Sequence, residues 1–63
     1  GRIHTRETER FLSIALGSAC ELETQLILSK DLGYIPTELA RQLCNKTQGI
    51  IRMLTSLIKT LNK

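Results

Sequence analysis

Sixty-three residues leave room for a single domain, and a chain this short buries only a modest share of its surface on folding. Hydrophobic residues make up 41% and aromatics 3%, so Leu, Ile and Ala must supply the core, which suits helix packed on helix. The net charge is +3, and no apolar run approaches the ~20 residues needed to span a bilayer, so no membrane partner is expected.

The first helix is expected from about Thr5, whose hydroxyl can accept a bond from a free backbone N–H of the first turn. Glu7 and Glu9 then sit where the positive end of the helix dipole favours them. The pattern runs unbroken to Leu32-Gly33-Tyr34-Ile35-Pro36. Gly33 can take the left-handed conformation that closes a helix, and Tyr34 can fold back over Leu28. Pro36 cannot continue a helix but can begin one, because its missing N–H has no intrahelical partner there. The second helix is expected from about 36 to 62, with boundaries good to ~2 residues.

The first helix carries an apolar stripe of Leu12, Ala15, Ala19, Leu22 and Leu26, flanked by Phe11, Leu16 and Leu32. Ile14, Cys20, Ile27 and Leu28 fall on another flank. Polar residues cover only a narrow strip near Gly17, Thr24 and Asp31. A helix this apolar is normally enclosed by several neighbours. The second helix has one stripe, Ala40, Leu43, Thr47, Ile50, Leu54, Leu57 and Leu61, widened by Cys44, Ile51 and Ile58. Leu12, Leu22 and Leu26 are therefore expected against the second helix. Ile14, Cys20, Ile27 and Leu28 are expected to contact segments outside the pair. An exposed apolar surface of that size binds or aggregates.

No catalytic constellation emerges. Cys20 and Cys44 would be offset by ~7 Å along the folded pair, a poor fit to a disulfide. Neither has a second Cys or His at zinc-ligand spacing, so both read as small core residues. His4 reads as a solvated terminal residue. Glu21 and Glu23 point ~200° apart and cannot form an adjacent carboxylate pair. Glu23 lies toward the apolar side and needs an interhelical hydrogen bond or salt bridge.

Charge is unevenly distributed. Residues 1–36 hold four Lys/Arg against five acids, and residues 37–63 hold five against one. Arg2, Arg6 and Arg10 recur every four residues and, with Arg52 and Lys59, are the candidate nucleic-acid contacts. A solvated face is the plainer account, since no aromatics are interleaved for base stacking.

One set of residues carries a resemblance. Gly1-Arg2 is followed by Phe11-Leu12-x-x-Ala15-x-Gly17-Ser18-x-x-Glu21-Leu22-Glu23-Thr24-Gln25-Leu26. Then come Leu32-Gly33-Tyr34 and Arg52-Met53-Leu54-x-x-Leu57-Ile58-Lys59-x-Leu61. The whole chain resembles the C-terminal half of the four-helix-bundle proteins encoded by intervening sequences in bacterial 23S ribosomal RNA genes, sometimes filed as a ribosomal protein family. It departs in having Ala19-Cys20 where Leu-Ala is common, and Pro36 where Ser or Glu often starts the last helix. The resemblance implies two preceding helices, a homo-oligomeric ring that is commonly a pentamer, and no established enzymatic activity. A related group of bundle proteins serves reverse transcriptases and binds nucleic acid.

The expected fold is therefore all-α: an antiparallel helical hairpin forming half of an up-and-down four-helix bundle. The expected function is a non-catalytic, homo-oligomeric association module with no cofactor. The alternative is an RNA- or ribosome-associated accessory protein using its basic surface. An enzyme has only isolated polar residues in its favour. No basic-then-apolar leader is seen, and two cysteines in such a chain point to the cytoplasm.

Overall fold

The computed structural model describes residues 6–62: helix α1, Arg6–Asp31, a tight turn, and helix α2, Thr37–Leu61. The two pack side by side, antiparallel, in a rod 48 × 16 × 15 Å, and no strand occurs among the described residues. Thr5, the expected first cap, lies outside the described residues.

The turn follows from its sequence. Gly33 has φ +82°, the left-handed region that a Cβ disfavours. Its N–H donates to the Lys30 carbonyl at 3.0 Å, and the Tyr34 N–H donates to the Ser29 carbonyl at 2.8 Å. This nested pair is the Schellman closure of a helix C-terminus. Tyr34 does not bury itself over Leu28; both side chains stay exposed. Pro36 caps α2 in extended conformation and the helix begins at Thr37, one residue later than the earliest expectation. The Pro36 carbonyl accepts the first helical bond, from Ala40 N–H at 3.0 Å.

The seam between the helices has a seven-residue period. On α1 the residues turned inward are Leu12, Leu16, Ala19, Glu23, Leu26 and Lys30, spaced four and three in alternation. On α2 they are Ala40, Cys44, Thr47, Ile51, Leu54, Ile58 and Leu61, with the same spacing. That is the 3.5-residue repeat of a coiled coil. Register is fixed by Gln48, whose Nε2 donates to Glu23 Oε2 at 2.8 Å. Antiparallel pairing then puts Leu26 level with Cys44, Glu23 with Thr47, Ala19 with Ile51, Leu16 with Leu54, and Leu12 with Ile58.

Small residues let the backbones approach. Ala40 is 2% exposed and Thr47 4%; only Ala19 and Leu54 join them as buried among the described residues. The Thr47 hydroxyl donates to the Leu43 carbonyl at 2.8 Å, so its burial leaves no unmet hydrogen bond. Thr55 does the same to Ile51 at 2.7 Å.

The seam is rotated from the stripes expected above. Leu22 is 46% exposed and Ile50 47%, and Ala15 and Leu57 also face outward. Leu16, Cys44, Ile51 and Ile58, expected as flanks, form the seam instead. The apolar arc on each helix is wider than one neighbour covers, and the chain buries the edge that carries the small residues and the Glu23–Gln48 bond.

Candidate interaction faces

With the seam fixed, the remaining positions divide the hairpin into two broad faces and an outer edge. The division follows from ~100° of rotation per residue and the antiparallel arrangement.

One face is apolar. From α1 it takes Phe11, Ala15, Ser18, Leu22, Gln25, Ser29 and Leu32; from α2 it takes Leu39, Leu43, Lys46, Ile50, Met53, Leu57 and Thr60. Seven of these are large hydrophobics left exposed: Phe11, Leu22, Leu32, Leu39, Ile50, Met53 and Leu57. Phe11 is 66% exposed and Met53 60%. The face carries one charged residue, Lys46.

The opposite face is polar and basic. From α1 it takes Arg6, Arg10, Ser13, Gly17, Cys20, Thr24, Ile27 and Asp31. From α2 it takes Glu38, Arg41, Asn45, Gln48, Arg52, Thr55, Lys59 and Asn62. Five cations stand there against two acids. Arg6, Arg10 and Lys59 gather at the open end of the hairpin, with Arg52 ~10 Å further along α2. Arg41, near the turn, is engaged: its Nε donates to Glu38 Oε1 at 3.1 Å, and its Nη2 pairs with Glu38 Oε2. Those bonds hold the Glu38 carboxyl below its ordinary value, with Gln42 adding a weaker bond.

These placements sort the residues singled out from the sequence. Arg6, Arg10, Arg52 and Lys59 share one face; Arg2 lies outside the described residues, as does His4. Ile14 and Leu28 lie on the outer edge of α1, away from α2, and both are exposed. Cys20 and Ile27 do not join them. They sit on the polar face, ~80–140° around the helix from Ile14 and Leu28, so the four do not form one compact patch. Ile27 lines a shallow depression with Lys30, Thr37, Ala40, Arg41 and Cys44. The reason is that Ile27 is a lone apolar side chain on a polar flank, a pattern that overall apolarity of α1 concealed. The large apolar side chains aligned on the apolar face, not grouped together from the sequence, are Phe11, Leu22 and Leu32 on α1 and Leu39, Ile50, Met53 and Leu57 on α2. The signal that finds them is the second seven-residue repeat, which runs beside the seam.

Cys20 is exposed and Cys44 half-buried, and both are free thiols. In this register they are offset by ~9 Å, a poor fit to a disulfide, and within the hairpin Cys20 is not buried. Among the described residues no group of three His, Cys, Asp or Glu could hold a metal ion. Glu23 has the interhelical partner its position demanded, Gln48. By length and composition alone α1 is apolar enough to cross a bilayer, with an 18-residue window of mean hydropathy 1.3. The core helix of a soluble bundle passes the same test.

The fold and these surfaces define an all-α helical-hairpin protein with one apolar and one basic face. The chain belongs to the 23S rRNA-intervening sequence protein family, whose model matches residues 1–56. No curated protein and no solved structure shows a match to this chain.

Proposed function

We propose that this hairpin is a non-catalytic association module within the 23S rRNA-intervening sequence protein family. Its apolar face packs against further helices and completes a four-helix bundle in a homo-oligomer. The observation that carries the reading is the alignment of seven large exposed hydrophobics on one face. Each contributes ~1.5–3 kcal/mol when moved out of water. The hairpin's own seam, with four buried residues among those described, is thin by comparison. The ring-forming habit implied by the resemblance, commonly five-fold, agrees with this reading. So does the polar strip on α1: Ser13, Gly17, Thr24 and Asp31 suit a bundle helix better than a membrane span. The free thiols suit a reducing cytoplasm.

Mass in solution tests the reading. The chain should sediment at a multiple of 7.1 kDa, and Met53→Asp should lower that mass or unfold the protein. A helical, soluble monomer of the unaltered chain overturns it.

A second reading, binding to RNA, is favoured by one observation. Arg6, Arg10, Arg52 and Lys59 share the face opposite the apolar one, so assembly through the apolar face leaves these cations in solvent. Phosphate neutralisation by such a face is salt-dependent.

A further inference from the structure

We propose that the phosphate backbone of double-stranded RNA lies across the open end of the hairpin, on Arg6, Arg10, Arg52 and Lys59, and that the turn end of the same face takes no part. The proposal rests on the RNA reading above and adds the form of the RNA, the end of the face and the mode of contact.

Charge on the polar face is divided along the rod. Its two acids, Asp31 and Glu38, both lie near the turn. There Glu38 is paired with Arg41, and Asp31 Oδ1 stands 3.4 Å from Lys30 Nζ. The four cations toward the open end are exposed, and among the described residues none of them has an ion-pair or side-chain hydrogen-bond partner. Glu7 and Glu9 belong to the same end of α1 but to other sides of it. Glu7 continues the outer edge of Ile14, and Glu9 is half-buried at the start of the seam. Cations gathered without counter-charges attract a polyanion.

The spacing suits a chain of phosphates rather than one small anion. Arg6 and Arg10 are ~6 Å apart along α1, and Lys59 lies level with Arg10 to within ~2 Å. Arg52 is ~10 Å further from the open end, so the cluster is ~18 Å long and ~10 Å wide, the separation of two packed helices. One phosphate cannot reach all four cations, whereas successive phosphates of a backbone can.

The side chains among the cations favour a duplex. Ser13, Thr55 and Asn62 are short and polar, and Gly17 leaves open space, since a Cβ there meets nothing within 4 Å. Single strands are held largely by bases stacked on aromatic rings. Both aromatics of the chain lie elsewhere, Phe11 on the apolar face and Tyr34 in the turn. A duplex keeps its bases stacked on each other and shows its phosphates outward. Double-stranded RNA is recognised through shape, phosphates and 2′-hydroxyls, because its deep, narrow major groove hides the base edges from side chains.

Fluorescence anisotropy of the assembled chain with a labelled RNA duplex of ~16 base pairs tests the proposal. Affinity should fall roughly 100-fold or more between about 50 and 200 mM salt, as four phosphate contacts per chain imply. Arg10→Gln and Lys59→Gln should each weaken binding several-fold and flatten the logarithmic salt dependence by ~1. Arg41→Gln removes the same charge near the turn and should change neither, and Lys59→Arg should retain both. Circular dichroism of each variant should match that of the unaltered chain. Duplexes of unrelated sequence should bind alike, and a single strand of equal length more weakly. Tighter binding to the single strand, or equal effects of Arg41→Gln and Lys59→Gln, overturns the proposal while the RNA reading stands. Absence of salt-dependent binding to any of these RNAs overturns both, as does preference for vesicles of anionic lipid over the duplex.

Discussion

Gln48 Nε2 donates to Glu23 Oε2 at 2.8 Å, joining residues 25 positions apart across the two helices. The bond lies at the solvent-exposed margin of the seam, beside Thr47, the most buried polar residue described. A seam of Leu and Ile alone can slip by a heptad at little cost, whereas a slip here separates a carboxylate from its amide donor. Polar residues at seam positions set register in coiled coils by this means.

Gln48→Ala should lower stability by ~0.5–1.5 kcal/mol, the usual net worth of one hydrogen bond. Urea unfolding followed by helical circular dichroism measures it. Thr47→Val should cost less, because its hydroxyl bonds only within its own helix.

The turn gives a sharper case. A Cβ at Gly33 meets no atom within 4 Å, so any cost of substitution comes from backbone conformation alone. Gly33→Val should destabilise the hairpin by ~1 kcal/mol or more, since left-handed φ is unfavourable for a β-branched residue. Gly33→Asn should retain more stability. Equal melting temperatures for all three proteins would contradict the Schellman assignment.

Leu54 and Leu57 are three residues apart but differ in role. Leu54 is buried in the seam, while Leu57 lies on the apolar face. Leu54→Ala should cost ~2 kcal/mol or more in unfolding, through lost contacts and the cavity left behind. Leu57→Ala should chiefly weaken association, read as a concentration-dependent shift in sedimented mass.

The Glu38–Arg41 pair predicts a small acid sensitivity. Arg41 lowers the folded-state pKa of Glu38 below its ordinary value. The contribution is therefore fully present above the ordinary carboxylate range and is lost as pH falls through the folded pKa. Glu38→Gln should flatten the melting temperature's decline in that acidic window. Because the pair is fully solvent-exposed, added salt should shrink the difference.

On the basic face, Lys59→Asp and Arg52→Asp should leave helicity and assembly mass unchanged. If RNA is a partner, both should weaken binding and reduce its dependence on salt. Binding unaffected by either change would remove this face from the interaction.

The sequence made some of this architecture plain. Two uninterrupted apolar patterns and the Leu32-Gly33-Tyr34-Ile35-Pro36 break specify two helices and their turn, because left-handed glycine and capping proline act locally. The face chosen for the seam is not local. Leu16 and Leu22 are equally apolar, and Leu16 is inward only because its repeat contains Ala19 and a bonded Glu23. Apolarity alone passes over that repeat, since Glu23 and Lys30 interrupt it. Ile27 is exposed, as its place on the flank of α1 suggested, but its neighbours around the helix are polar, so it stands apart from the apolar face. The basic face was legible as charge, and only the hairpin's handed geometry places Arg10 and Lys59 on the same side.

The central claim is that the apolar face associates, and sedimentation equilibrium of matched variants tests it most directly. Met53→Asp, on the apolar face, should collapse the assembly toward 7.1 kDa or unfold it, whereas Ile27→Asp, on the polar face, should have the milder effect. An unaltered chain that sediments as a helical 7.1 kDa monomer, with Phe11, Ile50 and Met53 in water, would contradict the account.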